Sequence, residues 1–183
     1  VTTARPELYD RLLSLRSHGI TRDPARLTRD DGGWYYEMQE LGFNYRLTDF
    51  QAALGLSQLR RADEDVARRQ AVARRYDEAF SEIDGLVIPK AAVGISHAYH
   101  LYIIRTSRRR ELYDHLRANN IFAQVHYIPV HRQPYYEALG WKAGDFPTAE
   151  NYYEQCLSLP MYPALTGADQ QRVIETIRKF FER

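Results

Sequence analysis

Cysteine is almost missing from this 183-residue chain, Cys156 being the only one. That excludes an intrachain disulfide and any Cys-rich zinc site. Lysine is scarce as well: only Lys90, Lys142 and Lys179 are present, so 22 of the 25 basic residues are arginine. Arginine favours planar, bidentate recognition of phosphate and carboxylate over point-charge contact. An excess of one charge is lacking too, since the formal net charge is +1, which gives no basic field for nucleic acid. No apolar run approaches the ~18 residues of a membrane-spanning helix, and the N-terminus has no signal-peptide form. No nucleophile-elbow motif, glycine phosphate-binding fingerprint, His-Glu-x-x-His pair or internal repeat occurs. The chain opens Val1-Thr2-Thr3 without methionine and enters a helix at once, as the middle of a longer protein would. The cysteine usage fits a reducing cytoplasm.

What is present is ordinary in bulk and unusual in rings. Hydrophobic residues are 44% and charged residues 27%, the balance of a soluble globular chain of one domain or two small ones. Aromatics reach 13%, with 14 tyrosines, which suits a surface that meets rings or a partner. Leu8, Leu12 and Leu15 predict a helix over 5–17, stopped by Gly19. Residues 20–40 have no steady period; Asp30-Asp31-Gly32-Gly33 is turn chemistry, and Trp34, Tyr35 and Tyr36 either pin that loop or cover a site. Thr48-Asp49-Phe50-Gln51 has capping-box form and starts the next helix. After Leu59 the helix is strongly charged but keeps the stripe Val72, Tyr76, Phe80 and Ile83.

From residue 84 the period changes. Leu86–Ile88, Tyr99–Thr106 and Ile121–Tyr127 predict strands, and Ser107 can cap a helix through Asn119. Short helices are expected near 132–139 and 147–156, the second carrying Cys156 as a small core residue. Thr166 starts a last helix bearing Val173, Ile174, Ile177 and Phe181. Strands alternating with helices make residues 84–183 a small α/β domain, residues 59–83 a connecting helix, and residues 1–58, with no strand, part of something else.

Two segments could carry chemistry. In the first, Asn44 and Arg46 stand just before a helix N-terminus, where two donors and positive potential suit an anion. The competing reading has Asn44 shaping a turn and Arg46 pairing with an acid. In the second, Gln124-Val125-His126-Tyr127-Ile128-Pro129-Val130-His131, polar rings line a strand end and the loop beyond it. Its competing reading is a sheet face with satisfied polar groups. The six histidines offer no zinc spacing, His97-x-x-His100 having neither Cys nor carboxylate nearby.

The run from Asn44 to Gly55, together with Arg16-Ser17-His18-Gly19, resembles the DegT-class sugar-nucleotide aminotransferases. The resemblance continues through His97-Ala98-Tyr99-His100-Leu101-Tyr102, Gln124 to His131, and Ala149-Glu150-Asn151-Tyr152-Tyr153 to Leu157-Ser158-Leu159-Pro160. It implies the C-terminal portion of a fold type I transferase that uses pyridoxal 5'-phosphate: 1–58 the tail of the large cofactor domain, 59–83 the connecting helix, 84–183 a small domain with a short, largely antiparallel sheet. It implies a homodimer with its sites at the subunit interface, or a companion N-terminal half. Asn44 would reach the cofactor phosphate of the neighbouring subunit, and Arg46, His126, Tyr127 and His131 would approach the nucleotide sugar. The stretches Gln124-Val125-His126-Tyr127-Ile128-Pro129 and Leu157-Ser158-Leu159-Pro160 are most similar to the branch that aminates a UDP-4-keto-6-deoxy-N-acetylhexosamine towards pseudaminic acid, and the resemblance implies glutamate as donor. The family's Schiff-base lysine matches none of Lys90, Lys142 and Lys179, so the resemblance implies a chain that is inactive alone. The alternative is a non-catalytic dimerisation or nucleotide-sugar-binding module.

Overall fold

The computed structural model describes residues 1–29 and 31–182, which leaves Asp30 of the anticipated turn outside the described residues. The chain divides into two compact units, Val1–Arg60 and Arg61–Arg183. No helix among the described residues is long and apolar enough to cross a membrane.

In the first unit, helix α1 (Pro6–Arg16) begins on a proline, whose missing N–H costs nothing at a position with no intrahelical acceptor. It ends where His18 and Gly19 both take left-handed backbone angles, φ 63° and 68°, and turn the chain back. Strand β1 (Ile20–Thr21) then pairs antiparallel with β2 (Glu37–Met38). The expectation of no strand in residues 1–58 is corrected by this pair. Two residues per strand are too few to show a period of two, so the sequence carried no trace of it. Helix α2 (Asp49–Leu59) has the capping box read from the sequence: Gln51 N–H donates to Thr48 Oγ1 at 3.3 Å, and Thr48 N–H to Gln51 Oε1 at 3.0 Å. No α2 residue is buried, and Phe50, Leu54, Leu56 and Leu59 are all exposed.

The hydrophobic core lies wholly in the second unit. Helix α3 (Ala62–Phe80), strand β3 (Tyr102–Arg105) and helix α4 (Arg109–Ala118) are followed by a 3-10 turn at Val130–Arg132 and the short helix α5 (Pro134–Glu137). Helix α6 (Pro147–Gln155), strand β4 (Cys156–Leu159) and helix α7 (Gly167–Phe181) complete it. Tyr76, Phe80, Tyr102, Ile104, Leu112, Leu116, Leu157 and Ile177 are almost completely buried. Each aliphatic one contributes about 1.5–3 kcal/mol of burial. The two core tyrosines bury their rings without stranding their hydroxyls. Tyr76 donates to Pro160 O at 3.0 Å and Tyr102 to Asp77 Oδ1 at 2.6 Å.

Helices α3 and α7 are tied by side chains reaching the other helix's backbone. Gln170 Nε2 donates to Val72 O at 2.8 Å, Arg75 Nη1 to Gly167 O at 2.9 Å, and Arg178 Nε to Ala79 O at 3.2 Å. Arg69, also on α3, sends one nitrogen to the carbonyls of Tyr99 (3.2 Å), His100 (3.2 Å) and Met161 (3.1 Å).

Strands β3 and β4 pair antiparallel, Tyr102 opposite Leu159 through Arg105 opposite Cys156. The α/β class with a short antiparallel sheet is thus present, but its membership differs from the sequence reading. Cys156 starts a strand instead of ending a helix, since β4 is buried at all four positions and a short buried strand has no alternation to announce it. Residues 121–124 alternate in burial as expected, but the alternation fails beyond them, where His126 is half-buried and Tyr127 exposed, and the segment forms no strand, meeting the sheet only through the bridge Gln124–Ser158. Leu86–Ile88 likewise contributes only the bridge Val87–Arg105. Ser107 does not cap α4; Thr106 Oγ1 accepts from Arg108 N–H instead.

Candidate functional site

Asn44 is held by backbone alone. Its neighbours hydrogen-bond to the end of α1: Phe43 N–H donates to Leu15 O at 2.6 Å, Tyr45 N–H to Arg16 O at 2.9 Å, and Phe43 O accepts from His18 N–H at 2.8 Å. Ser17 and Asn44 form an isolated bridge. This close approach requires two glycines. A Cβ on Gly42 would lie 2.3 Å from Gly19 N, and one on Gly19 would lie 1.9 Å from Glu40 O. The Phe43 and Tyr45 rings stack at 5.0 Å, 6° from parallel, with Asn44 between them in sequence. They line a pocket of ≈ 750 Å³ together with Tyr9, Leu12, Leu13 and Arg16 of α1. Asn44 and Arg46 are both exposed, and neither side chain has a hydrogen-bond partner among the described residues. The salt-bridged Arg46 of the competing reading is therefore not found there.

The second segment lies in the other unit. His126 is half-buried, with Nδ1 2.8 Å from Ser158 Oγ, and its ring meets Tyr127 edge-on at 4.7 Å. Tyr127 is 75% exposed. His131 turns inward instead: it is 8% exposed, with Nε2 2.7 Å from Glu150 Oε1 and its ring against Phe146 at 4.8 Å. Glu150 Oε1 also accepts from Gly144 N–H at 2.8 Å, and Arg132 Nη1 stands 3.8 Å from Oε2. The hydrogen bond from His131, then that from Gly144, hold the Glu150 carboxyl below the ordinary carboxylate range. His131 thus orders its own loop and walls a shallow pocket of ≈ 430 Å³ with Tyr136, Trp141 and Phe146. The structure brings His126 and Tyr127 to one exposed rim and points His131 away from solvent.

Sequence reasoning missed two polar centres. Glu37 gathers the loop that follows β1: its carboxylate accepts from Thr28 Oγ1 (2.7 Å), Thr28 N–H (2.8 Å), Tyr35 OH (2.9 Å), Arg29 N–H (3.1 Å) and Gln39 Nε2 (2.7 Å). The Thr28, Tyr35 and Arg29 donors, Thr28 first, lower its pKa to about 2. No sequence signal marks it. Ser158 is the other, and its signal was a lone hydroxyl between two leucines. A cleft of ≈ 730 Å³ beside β3, lined by Lys90, His97, Tyr99, Arg105 and Tyr152 among others, contains none of the residues expected at a site.

A model of the DegT/DnrJ/EryC1/StrS aminotransferase family matches residues 1–178. The chain belongs to this family. The spore coat polysaccharide biosynthesis protein SpsC of Bacillus subtilis (strain 168) is 40% identical over 186 residues, covering 97% of this chain and 48% of that protein. The UDP-4-amino-4,6-dideoxy-N-acetyl-beta-L-altrosamine transaminase of Campylobacter jejuni is 31% identical over 188 residues, covering 100% of this chain and 48% of that protein. The crystal structure of Streptomyces venezuelae DesV in complex with a ketimine intermediate superposes with a TM-score of 0.87 at 35% identity, covering 100% of this chain and 46% of that one. The chain therefore spans about half the length of the relatives it matches. Members of the family are pyridoxal-phosphate-dependent sugar aminotransferases.

Proposed function

We propose that this chain supplies cofactor-phosphate and nucleotide-sugar contacts to a transaminase, in the cytoplasm, that aminates a UDP-4-keto-6-deoxy-N-acetylhexosamine with glutamate as donor. The product class is the pseudaminic-acid type of nucleotide sugar, and the working form is a homodimer. The observation that carries the reading is Asn44: an exposed carboxamide with no partner among the described residues, held in place by a backbone bridge to Ser17. The likeness to the Campylobacter transaminase supports the sugar class.

The donors present fit pyridoxal 5'-phosphate. A phosphate dianion takes neutral or cationic donors, and Asn44 and Arg46 are one of each. The cofactor, when bound, supplies the electron sink and carries the amino group. Asn44 donates its amide protons to the phosphate of the neighbouring subunit's site. Arg46 neutralises charge at the entrance, and His126 and Tyr127 hydrogen-bond the nucleotide sugar and fix its orientation. The proton-relaying lysine is none of Lys90, Lys142 and Lys179, so the 183 residues alone do not transaminate. A second reading, a dimerisation or nucleotide-sugar-binding module, is favoured by the apolar surface of α2.

Kinetics of the intact protein test the proposal. His126→Ala and Tyr127→Phe should raise the KM for the nucleotide sugar well above any change in the glutamate KM. A lost bond to a charged group costs ~1.5–3 kcal/mol and a neutral one less. Equal effects on both substrates would assign these residues to folding, and absence of any transamination would favour the module.

A further inference from the structure

Every residue of β4 is buried, and Ser158 stands between Leu157 and Leu159 with only 4% of its surface exposed. A hydroxyl in such a place is unfavourable unless it is bonded. Its one side-chain partner among the described residues is the ring of His126, at 2.8 Å from Nδ1. The contact rests on rigid backbone: Ser158 N–H donates to Gln124 O at 2.7 Å, and Gln124 N–H to Ser158 O at 3.1 Å, two residues before the histidine.

Direction follows from what a buried hydroxyl can leave unpaired. Unused lone pairs are tolerated better than an orphaned proton. Ser158 Oγ therefore donates, and Nδ1 of His126 accepts. A neutral imidazole that accepts at Nδ1 carries its proton on Nε2. We propose that Ser158 is a positioning residue, which fixes His126 in the Nε2–H form and aims that N–H as a donor at an oxygen of the nucleotide sugar. The ligand half of this inference rests on the reading of His126 given above; the tautomer half does not.

Nitrogen NMR of the intact protein, labelled at histidine, tests both halves. The wild type should show His126 protonated at Nε2. Ser158→Ala should mix the two tautomers and raise the nucleotide-sugar KM roughly five- to tenfold, the worth of one hydrogen bond, while the glutamate KM stays put. Ser158→Thr keeps the hydroxyl and should restore both; with the wild-type spectrum it carries the test if the alanine variant fails to fold. A proton on Nδ1 in the wild type, or a tautomer indifferent to Ser158→Ala, overturns the positioning role. A tautomer that responds as expected, with a nucleotide-sugar KM moved by neither Ser158→Ala nor His126→Ala, overturns the ligand half and the reading of His126 with it.

Discussion

Asn44 and Glu37 sit in the same unit and behave in opposite ways. The carboxamide of Asn44 has no partner among the described residues, whereas the carboxylate of Glu37 accepts from four residues at once. If Asn44 holds the cofactor phosphate as proposed, Asn44→Asp would set a negative charge against it with almost no change in volume. Cofactor affinity of the intact protein should fall while fold and dimer persist, because the cap at Thr48 is untouched. Mixing this variant with one lacking the reacting lysine should recover activity if Asn44 serves the neighbouring subunit, since one site of each mixed dimer keeps both residues. No recovery despite subunit exchange would show that Asn44 serves its own subunit's site or none. For Glu37 the prediction is one of pH. Its folded pKa is depressed from 4.5 to about 2, so the carboxylate's contribution is complete above its unfolded value and is lost as pH falls through the folded one. Amide exchange at Thr28 and Arg29 should therefore accelerate between about pH 4.5 and pH 2, beyond its intrinsic pH dependence, and Glu37→Gln should already be fast at neutral pH. Exchange that tracks only the intrinsic rate would show that Glu37 does not latch this loop.

The turn after α1 and the segment before α2 depend on one another through Gly19 and Gly42. Gly42→Ala puts a methyl into backbone atoms that have no rotamer with which to yield. Overpacking of this kind costs about 1–3 kcal/mol. Exchange protection at Phe43 and Tyr45 should drop in this variant, with the α3–α7 core unaffected; unchanged protection would mean that the segment yields more easily than its contacts imply. This dependence also separates what an amino-acid sequence announces from what it conceals. The Asn44 motif and the capping box at Thr48 are local, and so is the cap at Thr166, whose Oγ1 accepts from Asp169 N–H at 3.1 Å. The pair of glycines that seats the motif is separated by a loop, and no periodicity links them. The same limit applies to His131, whose partner Glu150 lies 19 residues on. The resemblance implies a place near the nucleotide sugar for that histidine, and its burial against one carboxylate is a contact that no local pattern announces. The sheet was half legible for a related reason. Residues 121–127 read as a strand from the sequence, but they touch the sheet only where Gln124 bridges Ser158 of β4, whose buried Cys-Leu-Ser-Leu run reads equally well as the end of a helix.

Across the whole molecule, burial is uneven: in the first unit only Ser14 and Gly19 are buried among the described residues, against a full core in the second. Phe50 and Leu54 on α2 are 83% and 57% exposed, beyond what a monomer usually leaves in water. The 183-residue chain by itself should therefore associate as its concentration rises, and Phe50→Glu with Leu54→Glu should suppress this, as read by light scattering. A wild-type chain of constant monomer mass would show that the face is tolerated in solvent. The ties between α3 and α7 carry a consequence of another kind. Val72, Arg75 and Ala79 meet Gln170, Gly167 and Arg178 at points spread along both helices, each bond joining a long side chain to a fixed carbonyl. A tension applied along α7 would therefore be met at three points along α3 instead of one. A tether fused to the C-terminal helix would pass part of its pull to α3 through these bonds, Arg178 being the attachment nearest the pulled end.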